Sequence, residues 1–368
     1  MEDTAMNDGS NVSSGKLLYD PMFAKKNGLK TEKEKQSVFK PWQKALFIAA
    51  ILLFVGTSVF LSFGALKHDK YEFDKNGEQN ILTGYHAGKD DGILSIDFVC
   101  DDEGNADLSA PVNGIRKFAL CCDEFTELIY LGKDVTDIET NGLYYCTNLL
   151  AVIVDPQNPS YCSEDGVLYT KDKSELILHP ERNAEYRTAC TLDGFSAPET
   201  KEDAEAFLAL FNESFPALKE DRSADIQEKV ETTGAFFTVP SEVRKIGDGA
   251  FSYCSELKKV TLPDGLKEVA QMGFFKCGGL EEMDIPDTLE TIGPDGFSYC
   301  EKLTYLFVPA SVKTIGHHAF FGCLGLTELD MGAQEKDGTD IGESWLPKIN
   351  KKSLKTIPVN WGQERRGE

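Results

Sequence analysis

The chain has 368 residues, 61 of them acidic against 38 basic, and a net charge of −23. That length holds about two ordinary domains or one elongated repeat array. A surface this acidic excludes the basic footprint that nucleic-acid binding needs and favours cationic partners.

Residues 1–44 carry eight lysines against six acids, so this head stands at +2 and everything beyond it at −25. With Asn-Asp-Gly-Ser-Asn at 7–11 and scattered lysines, it is expected to be a disordered cytoplasmic tail. Ala45 to Leu66 is a run of 22 residues without a charge. As a helix it spans roughly 33 Å, enough for the hydrocarbon core of a bilayer. It is too long, and starts too deep in the chain, for a cleaved signal peptide. Seven lysines from Lys25 to Lys44 precede it, and only Lys67, Lys70 and Lys75 follow as closely. The positive flank marks the cytoplasmic side. The expected topology is a single-pass membrane anchor through residues 45–66, with residues 67–368 outside or in a lumen. Residues 67–114 are expected to form a juxtamembrane stretch and N-terminal cap.

The rest of the chain repeats. Cys254, Cys277, Cys300 and Cys323 are 23 residues apart, as are Phe251, Phe274, Phe297 and Phe320, and Leu257, Leu280, Leu303 and Leu326. Pro263, Pro286 and Pro309 keep the same step. A fixed period of this size is the mark of stacked coils, each unable to bury its apolar face alone. Within one coil, Ile246 to Cys254 has the spacing of a short helical turn. Val260 and Leu262 are the inward residues of a strand. Pro263 ends that strand and Asp264-Gly265 turns it. Ile138, Leu143, Cys146, Leu149, Val152 and Val154 reproduce the same offsets, and Ile129, Leu131 and Val135 belong to a preceding coil. Near Phe118 to Cys122 the register is ambiguous by one residue. Residues 163–180, with the turn Thr170-Lys171-Asp172-Lys173-Ser174, read as a β-hairpin ending in Leu178-His179-Pro180.

The coil "IGDGAFSYCSELKKVTLPDGLKE" and the segment "VDPQNPSYCSEDGVLYTKDKSELILHP" resemble the BspA-like leucine-rich repeat family of cell-surface antigen type. The resemblance covers residues 115–188 and 237–331. It implies an α/β, β-rich fold: a right-handed leucine-rich-repeat solenoid with 23-residue coils, here joined to one transmembrane helix. It also implies a surface protein used for adhesion or binding rather than catalysis. The expected organisation is N-terminal repeats with the hairpin at 115–188, an insertion at 189–236, four repeats at 237–335 and a C-terminal cap or tail at 336–368. In the insertion, Ala204, Phe207, Leu208 and Phe211 mark an amphipathic helix, Thr200 with Asp203 resembles a capping box, and Pro216 is expected to stop it. That helix is read as a flap packed on the repeats, with a partner-binding helix as the alternative. Asn212-Glu213-Ser214 would accept a glycan only in a luminal segment of a eukaryotic host.

Chemical motifs are scarce. The periodic cysteines are expected to be unpaired core thiols. A disulfide among Cys100, Cys121, Cys122, Cys162 and Cys190 stays open. No C-x2-C pair points to zinc, and Asp101, Asp102, Asn105 and Asp107 read as an acidic turn rather than a calcium loop. His317-His318 reads as surface variation. No enzyme motif, metal or cofactor is expected. The outward strand positions carry the binding expectation: Lys259 and Thr261, Glu282 and Asp284, Tyr305 and Phe307, Glu328 and Asp330. A protein or glycan is the expected ligand of this concave face. The alternative is that residues 336–368, with Trp345 and Trp361, cover the aromatics. A different role, a structural scaffold with a signalling or anchoring cytoplasmic tail, is also compatible with the sequence.

Overall fold

Residues 23 apart share a face only if one coil consumes 23 residues, and the backbone registers have that step. In the computed structural model, Lys245–Ile246, Glu268–Val269, Thr291–Ile292 and Thr314–Ile315 pair in parallel, each residue facing its counterpart one period on. A second row is built by Phe236–Thr238, Lys259–Thr261 and Glu282–Asp284, again in parallel. Tyr305–Val308 and Glu328–Met331 continue the pattern, and Val359–Trp361 adds a last parallel strand. The structure describes residues 70–76, 79–88, 92–101, 104–121, 123–192, 195–221, 235–333, 339–342, 344–346 and 358–365, with side chains omitted for 215–221. The expected tail 1–44 and membrane span 45–66 lie outside these residues. Among the described residues no helix is long and apolar enough to cross a membrane.

The phenylalanine column is the spine of the core. Phe251, Phe274, Phe297 and Phe320 stack at 4.8, 5.2 and 5.7 Å between ring centroids, with planes within 11°. All four are fully buried. The cysteine column lies beside it and turns its weak S–H donor onto backbone carbonyls. Cys277, Cys300 and Cys323 donate to the carbonyls of Phe251, Phe274 and Phe297, at 3.0, 3.3 and 3.0 Å. Cys146 donates to Leu120 at 3.4 Å with the same 26-residue separation. Cys254, Cys277, Cys300 and Cys323 are therefore core thiols outside any disulfide. The irregular Cys100, Cys162 and Cys190 form no disulfide either, and Cys122 lies outside the described residues.

The segment between Ile246 and Cys254 is a run of tight turns rather than a helical turn. Two positions four apart hold left-handed backbone in each coil: Gly249 and Tyr253, Met272 and Lys276, Asp295 and Tyr299, His318 and Gly322. Each reversal aims alternate N–H groups out of the turn. Ala250, Ser252 and Cys254 donate back three residues, whereas Gly249, Phe251 and Tyr253 donate to Gln271, Gly273 and Phe275 of the next coil. A helix would have left the coils without these cross-links. Sequence gave little warning, because left-handed backbone is uncommon for residues such as Tyr, Lys or Met.

The parallel ladder of the first block starts at Ile93–Ile96, upstream of residue 115, and passes through Leu128–Leu131 to Ala151–Val154. Its flank is the parallel set Gln79–Tyr85, Ala106–Ile115 and Asp137–Ile138. Here the register is settled. Leu120 occupies the phenylalanine column, buried Asp123 the cysteine column and buried Thr126 the leucine column, each 23 residues before Leu143, Cys146 and Leu149. Asp123 Oδ1 accepts from the backbone N–H groups of Phe125 and Thr126, which makes a carboxylate tolerable there. Phe118, the competing choice, is exposed.

The two blocks are spliced by a meander. Tyr161–Glu164, Val167–Thr170 and Glu175–Leu178 are antiparallel, so the expected hairpin has a third strand. Glu175 and Leu176 then pair in parallel with Lys245 and Ile246. Immediately after, His179 lays its ring on Phe251 at 5.0 Å and meets Phe237 edge-on at 4.6 Å. His179 thus begins the aromatic stack, and Trp345 closes it, 6.2 Å from Phe320.

A short helix α1 (Asn183–Ala189) leads into the insertion, which contributes α2 (Lys201–Asp221). The capping box forms: Asp203 N–H donates to Thr200 Oγ1, and the Thr200 N–H and hydroxyl donate to Asp203 Oδ2. Pro216 does not stop α2, whose backbone continues to Asp221. An internal proline removes one hydrogen bond and costs about 3 kcal/mol without dictating an end. The apolar stripe Ala204, Phe207, Leu208 and Phe211 is buried with Leu128, Tyr130, Ala151 and Ile153. The helix therefore lies on the outward face of the first block's strands.

Candidate binding face

The outward strand positions have three different fates along the stack. Over the first block they are apolar and covered by α2. In Leu-Ile-Tyr-Leu at 128–131 and Ala-Val-Ile-Val at 151–154 every residue is buried. The Tyr130 hydroxyl, which donates to Asp155 at 2.9 Å, has its pKa raised by burial first and by that carboxylate second.

Over the last coils the C-terminal segment does the covering. Tyr305 donates its hydroxyl to Asp330 Oδ2 at 2.9 Å, and Asn360 Nδ2 donates to Glu328 Oε1 and Asp330 Oδ1 at 2.7 and 2.8 Å. Arg365 stands over the Phe307 ring at 5.0 Å and also reaches the Ile285 carbonyl and Asp287. Asp330 is left 3 % exposed and Phe307 9 %. These two, expected to face a ligand, are instead closed off inside the chain, because a strand and an arginine from 359–365 occupy the space in front of them. Trp361 lies in that strand, whereas Trp345 packs at the end of the core. Tyr305 and Glu328 remain partly exposed.

Between these two covers a window stays open. The registers place Phe236, Lys259 and Glu282 side by side in one row and Thr238, Thr261 and Asp284 in the next. The alternating inward residues Phe237, Val260 and Met283 are buried, so the outward ones have nowhere to go but solvent. Glu282 and Asp284 side chains are 72 % and 80 % exposed, and Phe236 is 50 % exposed. Lys259 Nζ lies 3.1 Å from Glu282 and 3.9 Å from Asp284, and the hydrogen bond to Glu282 holds its ammonium above the ordinary lysine pKa. Exposed pairs of this kind add little stability. Their arrangement suits recognition: one aromatic face, two hydroxyls and two carboxylates on a rigid strand surface. Of the eight residues expected to bind, the structure gathers Lys259, Thr261, Glu282 and Asp284 here. Phe236 and Thr238 were missed, because their strand precedes the first recognisable coil. The signal was Phe-Phe-Thr followed by Val-Pro, which mirrors Lys-Val-Thr-Leu-Pro.

The registers and the aligned columns define a β-rich repeat fold like that of leucine-rich repeat proteins. Residues 231–344 match the family described as BspA type leucine rich repeat region, in six copies. That match covers about a third of the chain. No curated protein matches it. Among solved structures it is similar to a leucine-rich repeat protein from Eubacterium ventriosum, at 21 % identity over 64 % of this chain and 53 % of that one, TM-score 0.42. It is also similar to a leucine rich cell surface protein from Faecalibacterium prausnitzii, at 18 % identity over 69 % and 52 %, TM-score 0.44. The pneumococcal vaccine antigen PcpA aligns at 17 % identity over 82 % of this chain and 87 % of that one, TM-score 0.44. The chain spans about half the length of the first two.

Proposed function

We propose that this chain is a membrane-anchored, surface-displayed recognition protein that binds a basic segment of a protein partner at the open strand window. The observation that carries this reading is the selective exposure: helix α2 covers the strands on one side, residues 359–365 cover them on the other, and the window between them ends in two solvated carboxylates. Binding there rests on shape and charge, with no catalytic step. The double reversal Glu282→Lys and Asp284→Lys is expected to weaken a lysine-rich peptide probe at least about tenfold, since rim carboxylates steer and hold cationic groups. The equally charged control Glu199→Lys with Glu256→Lys, both exposed, should leave affinity within about twofold. Equal effects of the two pairs, read by fluorescence anisotropy at physiological salt, would reject this face and leave only general acidity.

The anchor is part of the same reading: residues 45–66 span the membrane, 1–44 stay in the cytoplasm and the repeats are displayed outside. Protease shaving of intact cells should release fragments of residues 67–368 and spare a tag placed at the N-terminus. Loss of that tag, or survival of the repeats until lysis, would contradict the topology.

A further inference from the structure

We infer that Asp295, His317 and His318 form a binding site for a divalent transition cation, with zinc the best chemical match. One donor atom from each of the three lies within 4.8 Å of the other two. The cluster is built by the stacking of coils, which is why adjacent histidines alone carried no such message in the sequence. Asp295 and His318 occupy equivalent left-handed positions of successive coils, with φ of 54° and 58°. The Asp295 N–H donates to the His317 carbonyl at 3.0 Å, which locks the two turns together at this point. His318 Nδ1 stands 4.0 Å from Asp295 Oδ1. The Ser298 hydroxyl, in a fully buried residue, sits 2.8 Å from Asp295 Oδ1 and 2.5 Å from the His318 carbonyl. It fixes the carboxylate from behind, as supporting groups of metal ligands do. His318 is propped from the other side by the Phe321 ring at 5.2 Å.

The donor set decides the ion. Two imidazoles and one carboxylate suit zinc and its neighbours, whereas calcium and magnesium require more oxygens. Donors around a tetrahedral zinc are about 3.3 Å apart. The cluster therefore has to contract by up to about 1.5 Å. His317 is exposed, and its ring already meets that of His318 edge-on at 5.3 Å. The thiols of the cysteine column offer no competition, since Cys254, Cys277, Cys300 and Cys323 are buried and tied to backbone carbonyls. Three protein ligands leave the fourth position to water or to a donor from a second molecule.

The test is calorimetric titration of the untagged chain with zinc, paired with the visible spectrum after cobalt substitution. The expected result is one ion per chain and cobalt bands of tetrahedral type. Asp295→Asn and His317→Ala should each weaken binding at least about tenfold. His317→Ala removes an exposed side chain, so unchanged melting without metal keeps the comparison clean. His86→Ala, at a histidine paired with Glu72 elsewhere, should bind zinc like the native chain. Absence of binding at millimolar zinc, or undiminished binding by His317→Ala, or loss of binding with His86→Ala, overturns the assignment.

Discussion

Phe274→Ala is expected to destabilise the repeat region by about 3–5 kcal/mol, the usual cost of emptying a buried phenylalanine site. Phe274 has a close parallel neighbour on each side, Phe251 at 4.8 Å and Phe297 at 5.2 Å. Its site is fully buried and lined by neighbouring coils whose backbones are cross-linked by hydrogen bonds, among them Phe274 N–H to Gly296 O. Collapse into the void would have to break that ladder, so relaxation is poor and the cavity term stays. The thiol of Cys300 also donates to the Phe274 carbonyl, and this contact survives truncation of the side chain. The loss is therefore packing, not hydrogen bonding. Urea denaturation followed by circular dichroism measures it. A cost below about 1 kcal/mol would mean that the aromatic column is filler rather than the spine of the stack. Because each coil contacts only its neighbours, a break here should also separate the unfolding of the two halves into distinct phases.

The parts of this fold that were legible in the sequence are those where identical side chains meet identical surroundings. Phe251, Cys254 and Leu257 recur because each coil offers the same niche, and the burial of all three columns follows. The ends of the array were harder. His179 takes a ring's place in the stack without being an aromatic of the column, and Asp123 takes a thiol's place without being apolar. Both are end effects, where one neighbour is no longer a standard coil. The coverage of the strand face had a signal that periodicity overlooked. Glu-Met-Asp at 282–284 alternates, as an open face should, whereas Ala-Val-Ile-Val at 151–154 does not alternate at all. A strand apolar on both faces has a second partner, and α2 is that partner. Tyr-Leu-Phe-Val at 305–308 carried the same message for the C-terminal cover. Position-specific chemistry such as the Asp295, His317 and His318 cluster depends on which residues fall side by side across coils. It became visible only once the register was fixed.

A pH–stability profile with an acid and an alkaline shoulder is expected from two titratable groups two residues apart, His179 and Glu181, and each shoulder should vanish with one substitution. His179 is fully enclosed, its Nε2 has no hydrogen-bond partner, and burial first, then Arg187, depresses its pKa to about 3. The unfolded chain takes up a proton below about 6.5, where the folded one refuses it. Stability from this residue is whole above about 6.5 and is lost as the pH falls toward 3. Glu181 has the opposite sign. Burial raises its pKa to about 8, and its Oε1 is buried without a partner. The folded chain keeps this proton while the unfolded one releases it above about 4.5, so stability is whole below that value and is lost as the pH rises through 8. Between 4.5 and 6.5 the two slopes cancel, at about 1.4 kcal/mol per pH unit each. His179→Phe, which continues the aromatic column with a ring that cannot be protonated, should flatten the acid limb by several kcal/mol and leave the alkaline limb intact. Glu181→Gln should do the reverse. Urea midpoints taken from about pH 3 to pH 9 compare each variant with the native chain, so the titration of exposed carboxylates subtracts out. An acid limb as steep in His179→Phe as in the native chain would mean that the enclosed imidazole is not the source of the acid loss.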